Sequence, residues 1–264
     1  FLDISNKLFN FLPKEYSIFV QLQNLIKGQK VTLTTNMGGN NLFSRILYHI
    51  MRAFVNFKDD PSAFAQEVYK AKLISKEAYM YKFELFTDLL IGYAYIQLGS
   101  YTKASAMLYK IVKTAKEKGM NSILHLAWYI ISIVNIKQGK FDIAYGVLNN
   151  SNIQMEKSGG ISEYLTMLNK VNMYKVLMCT QAQDKAQICL NQASYIVQKY
   201  GLNFNLNIDI KKIMSENQNI NNRAAITQSG SEQPVNNEVR VSEEENKTVV
   251  SSSGGFDEDD GDVI

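Results

Sequence analysis

The sequence predicts an all-α fold, an α-solenoid of antiparallel helix pairs followed by a disordered C-terminal tail. Apolar residues recur at helical spacing from Ile91 to Ile111 on both sides of Gly99, which indicates two helices joined by a tight turn. The whole chain contains only 3 prolines, which suits long helices. Similar turns are predicted 39 to 42 residues apart, at Asp60, Gly99, Gly139 and Gln181.

The first predicted region, residues 1–41, is an N-terminal helix followed by a loop. Pro13 suits a helix start, because a proline in the first turn loses no helical hydrogen bond. A polar, threonine-rich run with Gly38 and Gly39 then predicts a loop. The apolar face of the helix is predicted to consist of Phe19, Leu22, Leu25 and Ile26.

The second region, residues 42–214, is predicted to hold four helix pairs. In the first pair, Asp60 caps the second helix and Pro61 occupies its first turn. The second pair contains the stretch around Gly99, and the third runs from Asn121 to about residue 159. The fourth pair is the weakest in pattern, because Gln181 stands where the second and third pairs have glycine.

Two different segments are predicted after the fourth pair. Apolar residues alternate with Asn, Asp and Lys from Leu202 to Ile213, which predicts a short helix or an extended segment that covers the last pair. Residues 215–264 are predicted to form a disordered acidic tail, because they hold little apolar surface. Residues 1–222 carry 25 Lys and Arg against 15 Asp and Glu, a net +10, whereas residues 223–264 carry 3 against 10, a net −7.

The stretch around Gly99 resembles the tetratricopeptide repeat family. Gly92 and Ala104 are small residues where two helices would approach closely, and Tyr95 and Tyr101 flank them at the family's spacing. The resemblance implies a superhelix of helix pairs that binds other proteins. The usual period of the family is about 34 residues. The longer spacing here therefore predicts longer helices or longer loops.

The resemblance also implies a binding groove lined by the first helix of each pair. Family members that grip the C-terminal carboxylate of chaperones carry Lys, Asn and Arg in this groove, and the matching positions here lack that set. We therefore expect a hydrophobic peptide or an apolar helix as the ligand. Core packing follows the same helical period and is the competing interpretation. The predicted groove residues are Phe54, Phe57, Phe86, Leu89, Tyr93, Ile96, Tyr129, Ile133, Ile136 and Lys175.

No residue pattern predicts catalytic, cofactor-binding or metal-binding residues. His49 and His125 lie in amphipathic helices, with no nucleophile, zinc or acidic motif beside them in sequence. Five lysines crowd one helix, and phosphate binding would use such a surface. A solvated face explains them better, because arginine is scarce in the body of the chain. The five are Lys103, Lys110, Lys113, Lys116 and Lys118.

The sequence therefore predicts a non-catalytic scaffold or adaptor that binds a helix or hydrophobic peptide of a partner protein. A larger assembly, such as a bacterial flagellar or envelope machine, is the predicted setting. A regulatory peptide-sensing repeat protein and a basic nucleic-acid-binding platform are the alternatives. No apolar run reaches the length of a transmembrane helix. The compartment stays open between the cytoplasm and a bacterial periplasm.

Overall fold

The computed structural model describes residues 17–34, 37–158, 162–206 and 208–215. Helices dominate these residues and no strand occurs among them, so the predicted all-α class is confirmed. Pro13 and the predicted tail beyond residue 215 lie outside the described residues. The helices are α1 (Ser17–Ile26), α2 (Leu42–Asn56), α3 (Pro61–Glu77), α4 (Tyr81–Gln97), α5 (Tyr101–Glu117), α6 (Asn121–Lys137), α7 (Phe141–Ser158), α8 (Glu163–Cys179) and α9 (Gln183–Tyr200).

Most of these helices have nearly the same length and end in the same way. From α3 onward each has 17 or 18 residues, and three-residue links join α3 to α4, α4 to α5, α5 to α6, α6 to α7 and α8 to α9. Gly99, at the centre of one link, has a φ of 73°. The amide of the next residue, Ser100, donates to the carbonyl of Tyr95 at 2.9 Å. This left-handed termination reverses the chain, so consecutive helices run antiparallel.

The links without glycine adopt the same conformation. Gln181 has a φ of 62° and Tyr79 a φ of 54°. The amide after Gln181, that of Ala182, donates to the carbonyl of Leu177 at 2.8 Å. The turn predicted at Gln181 is therefore present, although a left-handed conformation costs an ordinary residue about 1–2 kcal/mol. Because the links are short, the spacing of the turns exceeds the family's period of about 34 residues through longer helices and not through longer loops.

Among the described residues, side chains cap the starts of three helices, including the one predicted at Asp60. The carboxylate of Asp60 accepts hydrogen bonds from the amides of Ser62 and Ala63 at 3.1 and 3.0 Å, with Pro61 in the first turn. The hydroxyl of Ser162 accepts from the amide of Leu165 at 3.4 Å. At the start of α2, the carboxamide oxygen of Asn41 accepts from Phe43 and Ser44. These bonds satisfy amides that a helix start leaves unpaired.

The core between α4, α5 and α6 contains the two small residues, Gly92 and Ala104, that the sequence predicts at a close contact of two helices. A Cβ atom at Gly92 would lie 3.2 Å from Cδ2 of Leu108, so the missing side chain gives Leu108 its space. Ala104 is fully buried in the same cluster. The close contact around Gly92 is thus made to a leucine one turn beyond Ala104. The first helices of successive pairs, α4, α6 and α8, also pack against one another.

The chain directly after α9 contacts the end of the N-terminal helix. Helix α1 packs on α2 through Ile18, and the amide of Asn203 donates to the carbonyl of Lys27 at 2.8 Å. At Gly28, with a φ of 68°, a Cβ atom would lie 2.4 Å from the carbonyl oxygen of Asn203. Only glycine fits this approach of two backbones.

We call residues 202–215 the strap. Residues 202–206, 208 and 209 are non-helical and residues 210–215 are helical, so the predicted helix covers only the end of this segment. The alternating apolar side chains of the first half pack against the buried residues Met167 and Val171 of α8 and Ala193 and Ile196 of α9. The strap therefore covers apolar surface of the fourth pair, as the sequence predicts. The packing side chains are Leu202, Phe204, Leu206 and Ile208.

Candidate functional site: a groove between the first helices

A cavity of about 300 Å³ lies between α4, α6 and α8. Its walls come from the first helices of the second, third and fourth pairs, which pack side by side. The strap contributes Ile213, which also packs against the buried residues Ile136 and Val176. We call this cavity the groove. Its lining residues are Tyr93, Gln97, Tyr129, Ile133, Ile136, Lys137, Asn172, Lys175 and Ile213.

Half of the residues that the sequence assigned to a binding surface meet in this groove. They come from α4, α6 and α8, three helices that are separated in the chain and that the structure brings together here. Most of these side chains are half-buried, which leaves part of each within reach of a ligand. They are Tyr93, Tyr129, Ile133, Ile136 and Lys175.

The other predicted residues lie elsewhere. Leu89 and Ile96 are 0% and 2% exposed and belong to the core between α4, α5 and α6, so they cannot contact a ligand directly. Phe54, Phe57 and Phe86 are half-buried and pack against the core of α2, α3 and α4. These five positions fit the competing interpretation, because one helical period serves both core and groove.

A chain of hydrogen bonds forms the polar side of the groove. The Lys175 ammonium donates to Oδ1 of Asn172 at 3.1 Å, and Nδ2 of Asn172 donates to the hydroxyl of Ser132 at 3.2 Å. That hydroxyl in turn donates to the carbonyl of Tyr129 at 2.6 Å. Asn172 and Ser132 are buried, so these bonds fix the position of the Lys175 ammonium.

Burial dominates the electrostatics of the groove. Burial lowers the pKa of Lys175, and the charge of Lys137 lowers it further. Burial also raises the pKa of Tyr129 and that of Tyr93. Among the residues that the structure describes, no carboxylate lies within ion-pair distance of the Lys175 ammonium. The groove thus combines neutral phenol groups, aliphatic side chains and positive charge.

Comparisons with protein families, with curated proteins and with solved structures find no match. The tetratricopeptide resemblance therefore stays a prediction from Gly92, Ala104 and the residues around them.

Sequence reasoning missed four residues of the groove. Gln97 and Lys137 stand at the C-terminal ends of α4 and α6, and Asn172 lies three residues before Lys175 on α8. The spacing of Asn172 and Lys175 is a signal that was available, since residues three apart share a helix face. No local signal identifies Ile213, because it reaches the groove only through the path of the strap.

A second cavity, of about 500 Å³, lies beside α1. Its walls come from α1, from the first turn of α8 and from the end of α9. At its edge, Lys199 and Glu163 form an exposed ion pair at 2.9 Å. The sequence gives no indication of this cavity, because α1 and α9 are distant in the chain. Its lining residues are Phe19, Leu22, Gln23, Ile26, Lys27, Glu163, Tyr164, Tyr200 and Leu202.

Both histidines bond to a side chain of the neighbouring helix. Nδ1 of His49 lies 2.7 Å from a carboxylate oxygen of Glu67, and Nδ1 of His125 lies 3.1 Å from the hydroxyl of Ser151. No acidic residue stands beside His49 in the sequence, because Glu67 is 18 residues away. Each contact joins the two helices of one pair.

The carboxylate of Glu67 is buried and contacts three basic groups. Arg52 and Lys70 approach it at 3.4 and 3.2 Å, in addition to His49. Burial raises the pKa of Glu67, but the hydrogen bonds from His49 and Lys70 and the charges of Lys70 and Arg52 outweigh it. The resulting pKa lies below the ordinary value of 4.5. The ionised carboxylate therefore stabilises the fold above that pH, and this stability is lost as the pH falls through the lowered pKa.

Glu67→Gln should lower the free energy of unfolding at pH 7 by about 1–3 kcal/mol, the range for hydrogen bonds to a charged group. The deficit should shrink as the pH falls below 4.5, because the wild-type carboxyl then becomes neutral as well. Urea unfolding of both proteins at pH 7 and pH 3 measures this difference in the free energy of unfolding. Glu77→Gln, on the exposed end of α3, is the control and should change little at either pH. An equal deficit at both pH values would contradict the ionic role of Glu67.

The four lysines of α5 and Lys118 directly after it are exposed, as a solvated face predicts. The ammonium of Lys118 lies 4.2 Å from the centre of the Tyr81 ring. The described part of the chain holds no group of three or more His, Cys, Asp or Glu residues that could bind a metal ion. None of its helices is long and apolar enough to cross a membrane.

Proposed function

We propose that this chain is a non-catalytic scaffold or adaptor whose groove binds a helix or hydrophobic peptide of a partner protein. One observation carries the proposal. The groove already receives an aliphatic side chain from a helical segment, that of Ile213 in residues 210–215. A partner helix can present a side chain in the same way, with further contacts at positions three and four residues away.

The tyrosines support this proposal in physical terms. Tyr93 and Tyr129 stand on adjacent helices and line the groove with half-buried rings. Tyrosine offers a large contact area and loses little conformational entropy on binding, because its side chain has two torsions. The helices that carry these rings are packed on both sides, so the groove is held in place before a partner arrives.

We place the adaptor within a larger assembly, with a bacterial flagellar or envelope machine as the example. A regulatory protein that senses a peptide would use the same groove. The nucleic-acid-binding platform is the second candidate, and the observation in its favour is the exposure of the four lysines on α5 and of Lys118 directly after it. The two candidates differ in how binding depends on salt, because nucleic-acid binding rests on the release of counterions.

The test is capture of a partner from native cell extract by the full chain, at 50 and 200 mM salt, with and without nuclease. The proposal predicts a protein partner whose capture resists nuclease and changes little with salt. A variant with Lys110→Gln, Lys113→Gln and Lys116→Gln should capture it equally well. Capture that disappears with nuclease, or that falls about 1,000-fold in affinity over this salt range, would support the nucleic-acid platform.

A further inference from the structure

The strap occupies the surface that the proposed function assigns to a partner. Its apolar residues from Leu202 to Ile208 pack on α8 and α9, and Ile213 then enters the groove. Asn203 fixes the start of the strap through its hydrogen bond to Lys27. A partner helix that enters the groove must therefore move Ile213 aside.

The strap matches the shape of the groove better than its charge. Its helical part carries Lys211 and Lys212, directly before Ile213. No lining residue of the groove and none of residues 210–215 is acidic, whereas the groove carries Lys175. A segment with acidic residues in the places of Lys211 and Lys212 would bring a charge opposite to that of Lys175.

Lys175 adds a more specific requirement. Its ammonium is held by Asn172, and the described residues place no carboxylate within ion-pair distance of it. A half-buried ammonium without a negative partner is partly desolvated at a cost in free energy, and this desolvation lowers the pKa of Lys175. A carboxylate brought by a ligand would recover part of this cost. The hydrogen bond to Asn172 keeps the ammonium in position for such a contact.

We propose that the strap is a displaceable occupant of the groove, and that its competitor is an amphipathic segment that combines an aliphatic anchor with acidic residues. The aliphatic anchor takes the place of Ile213, and a carboxylate pairs with Lys175. The inference rests on the proposed function and adds to it the chemistry of the partner and a competition within the chain.

The test uses fluorescent synthetic peptides and the full chain, with affinity measured by anisotropy at low salt. The first probe copies residues 202–215, and the second carries Lys211→Glu and Lys212→Glu. The acidic probe should bind at least about 10-fold more tightly than the basic one. Ile213→Ala in the chain should raise the affinity for the acidic probe several-fold, because it weakens the internal competitor. Adding Ile213→Asp to the acidic probe should abolish binding.

Lys175→Met, with Lys175→Gln as a second variant, should remove the preference for the acidic probe. Lys185→Met, at an exposed site on α9, should leave the preference unchanged. Equal binding of the two probes, or a preference that survives loss of Lys175, overturns the acidic partner while the proposed function stands. Unchanged affinity after Ile213→Ala overturns the competition. If neither probe binds the wild-type chain or the Ile213→Ala variant, the proposed function fails as well.

Discussion

Leu108→Ala is expected to lower the free energy of unfolding by about 2–5 kcal/mol, the range for a fully buried leucine. Leu108 is 0% exposed and lies against Gly92, where the absence of a Cβ atom gives it space. Truncation leaves a cavity at this contact, because the helices on both sides are held by their own packing. Denaturant unfolding, with the midpoint and slope fitted together, measures the change.

Leu73→Ala is the matched control for this prediction. Leu73 lies on α3, has the same chemistry and is 39% exposed. The change there should be much smaller, because less apolar area leaves water on folding. If both substitutions cost the same, the register that pairs α4 with α5 through Gly92 and Leu108 is wrong.

Tyr93→Ala combined with Tyr129→Ala is expected to weaken partner capture by at least about 30-fold, which corresponds to about 2 kcal/mol. Central aromatic residues often contribute this much or more to an interface. Both rings are half-buried, so circular dichroism should still show most of the helical content. The comparison is made by titrating the captured partner against each purified protein.

Tyr109→Ala combined with Tyr195→Ala is the control for the tyrosine prediction. Both control residues are exposed, at 48% and 65%, and neither lines the groove. Capture by this variant should match that of the wild type. A collapse of helical content in the Tyr93 and Tyr129 variant would mean that these rings hold the core together, and the groove would then lose its proposed anchors.

The helical array could be predicted from the sequence because its signals are local. Asp60, Gly99 and Gly139 each mark a turn by the chemistry of one or two residues. Gln181 carries no such local signal and is predicted as a turn from its spacing to the other turns. The turn is present there without glycine, with a hydrogen bond from the amide of the next residue to the carbonyl of Leu177.

The groove could be predicted only in part, because burial depends on neighbours that the sequence does not specify. Tyr93 and Leu89 lie one helical turn apart on α4, yet the first lines the groove and the second is in the core. The contact of His49 with Glu67 and the insertion of Ile213 are tertiary contacts between separate elements. A pattern within a single helix contains no information about either.

Photo-cross-linking from position 129, which lines the groove, is the most direct test of whether the groove binds a partner protein. The full chain is expressed in its native cells with p-benzoylphenylalanine in place of Tyr129 and, separately, in place of the exposed Tyr195. Position 129 should cross-link to a partner protein in cells and to residues 208–215 of the strap in the purified chain. Position 195 should do neither. A partner that cross-links from position 195, with only cross-links within the chain from position 129, would contradict the account.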